Sequence, residues 1–150
     1  YTGEIVLADD SGLEVDFLNG KPGVHSARYS GEHATDADNN RKLLAELAGV
    51  PPEKRGAGFV CVLALYYPDG RYESFEGRWR GIIHDAPLGT GGFGYDPVFY
   101  LPEYGLTVAQ LPLDEKNSIS HRARALDKLR RYLQDELQKE IEMCVRGDII

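Results

Sequence analysis

A chain of 150 residues, 42% hydrophobic and 27% charged, is long enough for a single domain with a sizeable core, and it is neither disordered nor fibrous in composition. Its formal net charge of −7 argues against nonspecific binding along nucleic acid, and no apolar run approaches the ~18–20 residues of a membrane-spanning helix. Cys61 sits in an apolar stretch and Cys144 in a charged tail, so neither a disulfide framework nor a CxxC metal site is expected, and the cytoplasm is the expected compartment.

Tyr1-Thr2-Gly3 leads almost at once into an apolar stretch with no initiator Met, so residues 1–150 are expected to be one domain, incomplete at its amino end. Glu4–Ala8 is β-branched and apolar enough for a buried strand. Asp9-Asp10-Ser11-Gly12 is expected where that strand ends, with Gly12 turning the chain. Neighbouring strand side chains point to opposite faces, so at most one of Asp9 and Asp10 faces a cleft. A carboxylate at such an edge suits Mg²⁺ or activation of water, and equally an Asx-turn.

Asn19-Gly20 predicts a tight turn joining 13–18 to 21–24 as a hairpin. Thr35 and Asp38 form a capping-box start to a helix carrying Leu43, Leu44 and Leu47 on one face, stopped by Gly49 before Pro51-Pro52. Residues 59–67 are apolar on both faces, as in a central strand, and 71–83 read as its more exposed partner. A strand is expected again over 96–100. The last long element carries Leu126, Leu129, Leu133, Leu137 and Ile141 at spacings of three and four, an amphipathic helix.

Two further clusters carry chemistry. Gly89-Thr90-Gly91-Gly92-Phe93-Gly94 spells G-x-G-x-x-G, but it precedes Tyr95-Asp96-Pro97 and a β-rich run instead of opening a helix, so a dinucleotide fingerprint is rejected. A loop presenting Phe93 to a flat group fits better, since a base stacked on an aromatic ring gains ~1–3 kcal/mol; the plainer reading makes Phe93 a core residue. In 116–122, Lys116 offers a point charge suited to phosphate, and His121 and Arg122 offer donors near a helix start; the plainer reading is a solvated basic surface. His25, His33 and His84 show no ligand spacing.

The stretches 7–15, 22–31, 38–44, 91–99 and 116–122, in that order, resemble the inosine/xanthosine triphosphate pyrophosphatases, from about Leu7 to Leu133. The resemblance implies an α/β fold in which helices flank a mixed, elongated central sheet and a nucleotide cleft lies between two lobes. It implies a homodimer that uses Mg²⁺ to hydrolyse ITP, dITP or XTP to the monophosphate and pyrophosphate. Carried over by position, Asp10 matches the proton acceptor and metal ligand, with Asp9 supporting the metal. Ser11, Phe93, Gly94, Tyr95, Asp96, Lys116, His121 and Arg122 match substrate contacts.

The family's amino-terminal Thr/Ser-x-Asn-x-x-Lys loop and its Glu-Asn-Ala helix have no counterpart in this sequence, and the tail beyond about Leu133, through Met143–Asp148, is unmatched. Two alternatives to the hydrolase are therefore a truncated subunit that dimerises or binds nucleotide without turnover, and a pyrophosphatase for other modified nucleotides.

Overall fold

The computed structural model describes residues 3–146; Tyr1 and Thr2, and Gly147 and Asp148 of the tail, lie outside the described residues. Six strands, β1 (Val6–Val15), β2 (Pro22–Gly23), β3 (Gly56–Tyr66), β4 (Tyr72–Ile83), β5 (Phe99–Leu101) and β6 (Leu106–Thr107), form one sheet in the order β2-β1-β3-β4-β5-β6. All of its described pairings are antiparallel. Three α-helices accompany it: α1 (Asp36–Glu46), α2 (Leu113–Ile119) and α3 (His121–Arg146). This is the mixed α/β architecture expected, with a sheet that curls.

Register explains where the core lies. Leu13 stands opposite Phe59, which stands opposite Trp79, and two residues along Ser11, Cys61 and Gly77 align. These positions share one face of the sheet. Leu13, Val15, Phe59 and Trp79 join Leu43 and Leu47 of the α1 region in one buried cluster, while Cys61, Leu63, Leu65 and Phe75 pack on Ala125 and Leu129 of α3 in another. The intervening positions of the strands carry charge: Arg78 bonds Glu14 and Glu76, and Arg80 bonds Asp16.

Two local expectations are corrected. The strand does not end at Asp9-Asp10; β1 runs unbroken to Val15, so both carboxylates sit mid-strand. Gly12 serves close approach and not a turn: a Cβ there would lie 2.5 Å from the Gly23 carbonyl oxygen. Ser26 locks that approach, accepting from the Leu13 N–H at 2.8 Å and donating to Gly23 at 2.6 Å. The hairpin forms, but Asp16–Leu18 is a 3₁₀ turn, closed by Asn19 at φ 52°. Likewise the strand expected over 96–100 begins only at Phe99, because 95–98 are turns held by Tyr95 carbonyl bonds to Val98 and Phe99.

The capping box at Thr35 and Asp38 is present in full, and buried Arg55 gathers the carbonyls of Leu47 and Val50 beyond the end of α1. Where α3 crosses the sheet, Gly77 supplies the clearance. A Cβ on it would stand 1.9 Å from the His121 carbonyl oxygen and 2.5 Å from the Ala125 nitrogen. The helix start therefore rests on bare main chain.

Candidate functional site

A cleft of about 360 Å³ opens between β1, the 91–96 loop and the junction of α2 with α3, a size suited to a small ligand. Ser11, Phe93, Gly94, Tyr95, Asp96, Lys116, His121 and Arg122 all line it. Sequence positions more than a hundred residues apart thus meet in one place.

The loop is braced from four sides. The Asp96 carboxylate accepts from the Phe93 N–H at 2.9 Å and from Lys116 Nζ at 2.5 Å. Asp36 accepts from the Gly94 N–H at 2.7 Å, and Asn40 Nδ2 donates to the Gly94 carbonyl at 2.9 Å. Tyr95 donates its hydroxyl to the Ser26 carbonyl, and its burial pushes its own ionisation well above the ordinary tyrosine range. Gly92, at φ +73°, has no room for a side chain because a Cβ would fall 2.0 Å from the Asp96 carboxylate. With its backbone so held, the loop leaves Phe93 63% exposed at the cleft, which removes the core reading of that residue.

Lys116 is not the free point charge its sequence setting suggested. Its ammonium is buried with Asp96, both side chains being nearly covered, and lies 4.6 Å from the centre of the Phe93 ring. It neutralises Asp96 and supports the aromatic platform from one side.

His121 opens α3 and stacks on Phe59, with ring centroids 4.9 Å apart. It is 8% exposed, and burial, helped by the Arg122 and Lys116 charges, lowers its pKa to about 4. At neutral pH the ring is therefore uncharged, with one N–H and one acceptor nitrogen. Nδ1 is buried with no hydrogen-bond partner among the described residues. A buried orphan of this kind on a cleft wall is a site where an incoming polar group gains most.

Arg122 grips Asp9 with two bonds, Nε at 2.7 Å and Nη2 at 3.3 Å, and reaches Ser11 Oγ at 3.4 Å. The guanidinium holds the Asp9 carboxyl below the usual carboxylate range. Asp10 points the other way: it borders a separate shallow groove with Glu14, Glu76 and Arg78, and makes no hydrogen bond or ion pair among the described residues. The prediction that the two carboxylates serve different faces holds, but it is Asp9 that stands with the cleft residues. No group of three or more His, Cys, Asp or Glu able to hold a metal occurs among the described residues. A divalent ion held with few protein ligands still needs a carboxylate free to meet it; Asp10 offers one, and both Asp9 oxygens are engaged by Arg122.

Sequence reasoning assigned no role to Phe59, Asp36, Asn39, Asn40 or Ser26, which line or brace the cleft. Asn39 and Asn40 are buried polar residues inside a helix, and two adjacent asparagines in an otherwise amphipathic helix were the available signal. Phe59 offered none, being one apolar residue in an apolar strand.

Residues 1–132 match the Ham1 family. The chain is similar to the dITP/XTP pyrophosphatase of Geobacter sulfurreducens, with 58% identity over 132 residues, covering 88% of this chain and 66% of that protein. It is also similar to the dITP/XTP pyrophosphatase of Clostridium perfringens, with 53% identity over 134 residues, covering 89% and 66%. The solved structure of the Staphylococcus aureus Ham1 protein superposes with a TM-score of 0.86 at 46% identity, covering 90% of this chain and 69% of that one. That of a Coxiella burnetii Ham1 protein gives 0.85 at 45% identity, covering 89% and 69%. The chain spans about two thirds of the length of the curated relatives it matches.

Proposed function

The chain belongs to the Ham1 family, and from that premise we propose that it acts on aberrant purine nucleoside triphosphates, ITP, dITP and XTP, hydrolysing them to the monophosphate and pyrophosphate. The observation that carries the reading is the cleft itself: an exposed aromatic face, a fixed guanidinium and a neutral buried imidazole with an unsatisfied nitrogen, gathered in a space of small-ligand size.

The base stacks on Phe93 and directs its O6 acceptor toward Arg122. A guanidinium has donors only, so adenine, which presents an N6 donor instead, leaves a donor against a donor. That mismatch costs ~1–3 kcal/mol or more. Neutral His121 can donate or accept according to its tautomer and so discriminates less; it fixes the ring plane and supplies a second polar contact. Tyr95, Asp96 and Lys116 hold the loop that carries Phe93. Ser11 contacts the substrate beside Arg122.

Asp10 is the proton acceptor for the attacking water and the carboxylate that would hold Mg²⁺; the ion, when bound, supplies charge neutralisation along the triphosphate. The assembly proposed is a homodimer. No helix among the described residues is long and apolar enough to cross a membrane, and the proposed compartment is the cytoplasm, where nucleoside triphosphates are made and used.

The test compares Arg122→Ala with the parent chain on ITP and ATP, reading pyrophosphate release and equilibrium binding. The ratio of kcat/KM for ITP over ATP is expected to fall by about tenfold or more, the equivalent of ~1.4 kcal/mol. If both substrates weaken equally, Arg122 serves phosphate or folding and the assignment fails.

A second reading, nucleotide binding without turnover, is favoured by one observation. Asp9 and Asp96 are both ion-paired, and Asp10 sits on the other face of β1. Tight ITP binding with no pyrophosphate release in the presence of Mg²⁺ would select it.

A further inference from the structure

The start of α1 holds two walls of the cleft at once, and it does so from one face. Asp36, Asn39 and Asn40 stand at positions i, i+3 and i+4 of the helix, so their side chains project together. Asn39 takes the segment that follows Ser26: its Nδ2 donates to the Ala27 carbonyl at 3.1 Å, and its Oδ1 accepts from the Ser30 N–H at 2.8 Å. Asp36 and Asn40 take the other segment. Both engage the single residue Gly94, one at its N–H and one at its carbonyl. Leu43 and Leu47 anchor the far end of the helix region in the core.

Asn40 is the informative member. It is 8% exposed and does not line the cleft, so its reach toward a ligand runs through Gly94. That bond uses half of its amide, because Oδ1 is buried with no hydrogen-bond partner among the described residues. A buried, unpaired acceptor costs stability, and an apolar side chain of similar size avoids the cost. Folding alone therefore gives no reason for a polar residue here; the group it holds does.

That group is the backbone beside Phe93. Gly92 and Gly94 flank it, both in the left-handed region, so the segment has the freedom of glycine wherever it is not tied down. With its ring mostly exposed, Phe93 depends on main chain for its placement: its own N–H is bonded to Asp96, and Gly94 is bonded to α1. A stacking face fixed in advance spares an incoming ligand the cost of ordering it.

We propose that Asn40, with Asp36, is a positioning residue for base recognition: the pair fixes Gly94 and, through it, the stacking face of Phe93. The inference rests on the proposed stacking of the base on Phe93 and extends it to a residue outside the cleft.

A double-mutant cycle between positions 40 and 93, read by equilibrium binding of ITP beside a thermal melt, tests it. Asn40→Leu is expected to weaken ITP binding about tenfold in the parent chain and less than about twofold once Phe93→Ala is present. Its melting temperature should hold or rise, since the unpaired acceptor is gone. Asp36→Ala, at an exposed position, runs the same cycle independently and should show the same dependence on Phe93. Asp36→Asn keeps an acceptor for the Gly94 N–H and should bind ITP within about twofold of the parent. Losses that add across both cycles, or a melting temperature that falls in step with binding, mean that these residues serve the fold at large and overturn the positioning role alone. A parent chain that binds no ITP, or a Phe93→Ala chain that binds it as the parent does, overturns the stacking reading and this inference together.

Discussion

The two ends of the site are built differently. At the base end, Asp96 is bonded by the Phe93 amide and Lys116, Gly94 is held at both its N–H and its carbonyl, and Tyr95 is tied to Ser26. At the strand end, Asp10 is exposed and uncommitted, and Asp9 answers to Arg122 through a pair that is about 40% exposed on each side. Recognition needs donors already in place before the ligand arrives, because a mobile donor discriminates poorly. A carboxylate that takes a proton or meets a cation must instead be free when the ligand arrives. On the proposed function, the braced loop presents the stacking face, Arg122 on the strand side reads O6, and the uncommitted Asp10 is left for chemistry.

The sharpest way to break that comparison is Asp10→Asn. The change is isosteric and touches no bond in the fold, so the melting temperature should hold, whereas hydrolysis of ITP should fall by ~10²–10⁴-fold, the range for loss of a general base. Steady-state rates beside a thermal melt decide it. A fall of less than about tenfold, ~1.4 kcal/mol of barrier, would take chemistry away from Asp10 and leave the strand end without a function.

Next in size is the pH response of the braced end. The folded chain leaves His121 unprotonated until about pH 4, while an unfolded chain takes the proton near the ordinary 6.5. Between those values the unfolded state binds more protons, so stability falls as pH drops from 6.5 toward 4 and levels off below. Over the whole window the loss from this one group is about 3 kcal/mol. His121→Gln should flatten the difference in urea-unfolding free energy between pH 7 and pH 4.5; parallel curves for the two proteins would mean that the imidazole is not buried uncharged.

Asp9→Asn should have the smallest effect. Releasing a half-exposed pair changes stability by ~0–1 kcal/mol, and with Arg122 untethered the KM for ITP should rise by up to about tenfold with kcat nearly unchanged. A kcat loss matching that of Asp10→Asn would place Asp9 in the chemistry and dissolve the contrast between the two carboxylates.

Much of this was legible in the residues. Alternation on β1 separated Asp9 from Asp10 before any coordinates, the capping box placed the start of α1, and the spacing of five apolar residues announced α3. The ordered motifs brought the 91–99 and 116–122 segments to one site. Local pattern failed where a residue's use depends on what lies across the fold. Gly12 reads as a turn until the Gly23 carbonyl is seen beside it, and Lys116 reads as a free point charge until Asp96 is seen paired with it. Phe59 is one more apolar strand residue until His121 lies on it. None of these partners is a sequence neighbour, so no window of adjacent residues contains the information.

The seating of α3 on Gly77 divides the labour of any redesign. The helix start is seated main chain against main chain at Gly77, with the His121 ring on Phe59 and the Arg122 bonds to Asp9 as further anchors. If the proposed function holds, the polar groups at 121 and 122 are where substrate preference would be rewritten, while the Gly77 seat keeps the helix start in place. Position 77 offers no such latitude: even a methyl group there would displace both members of the pair together.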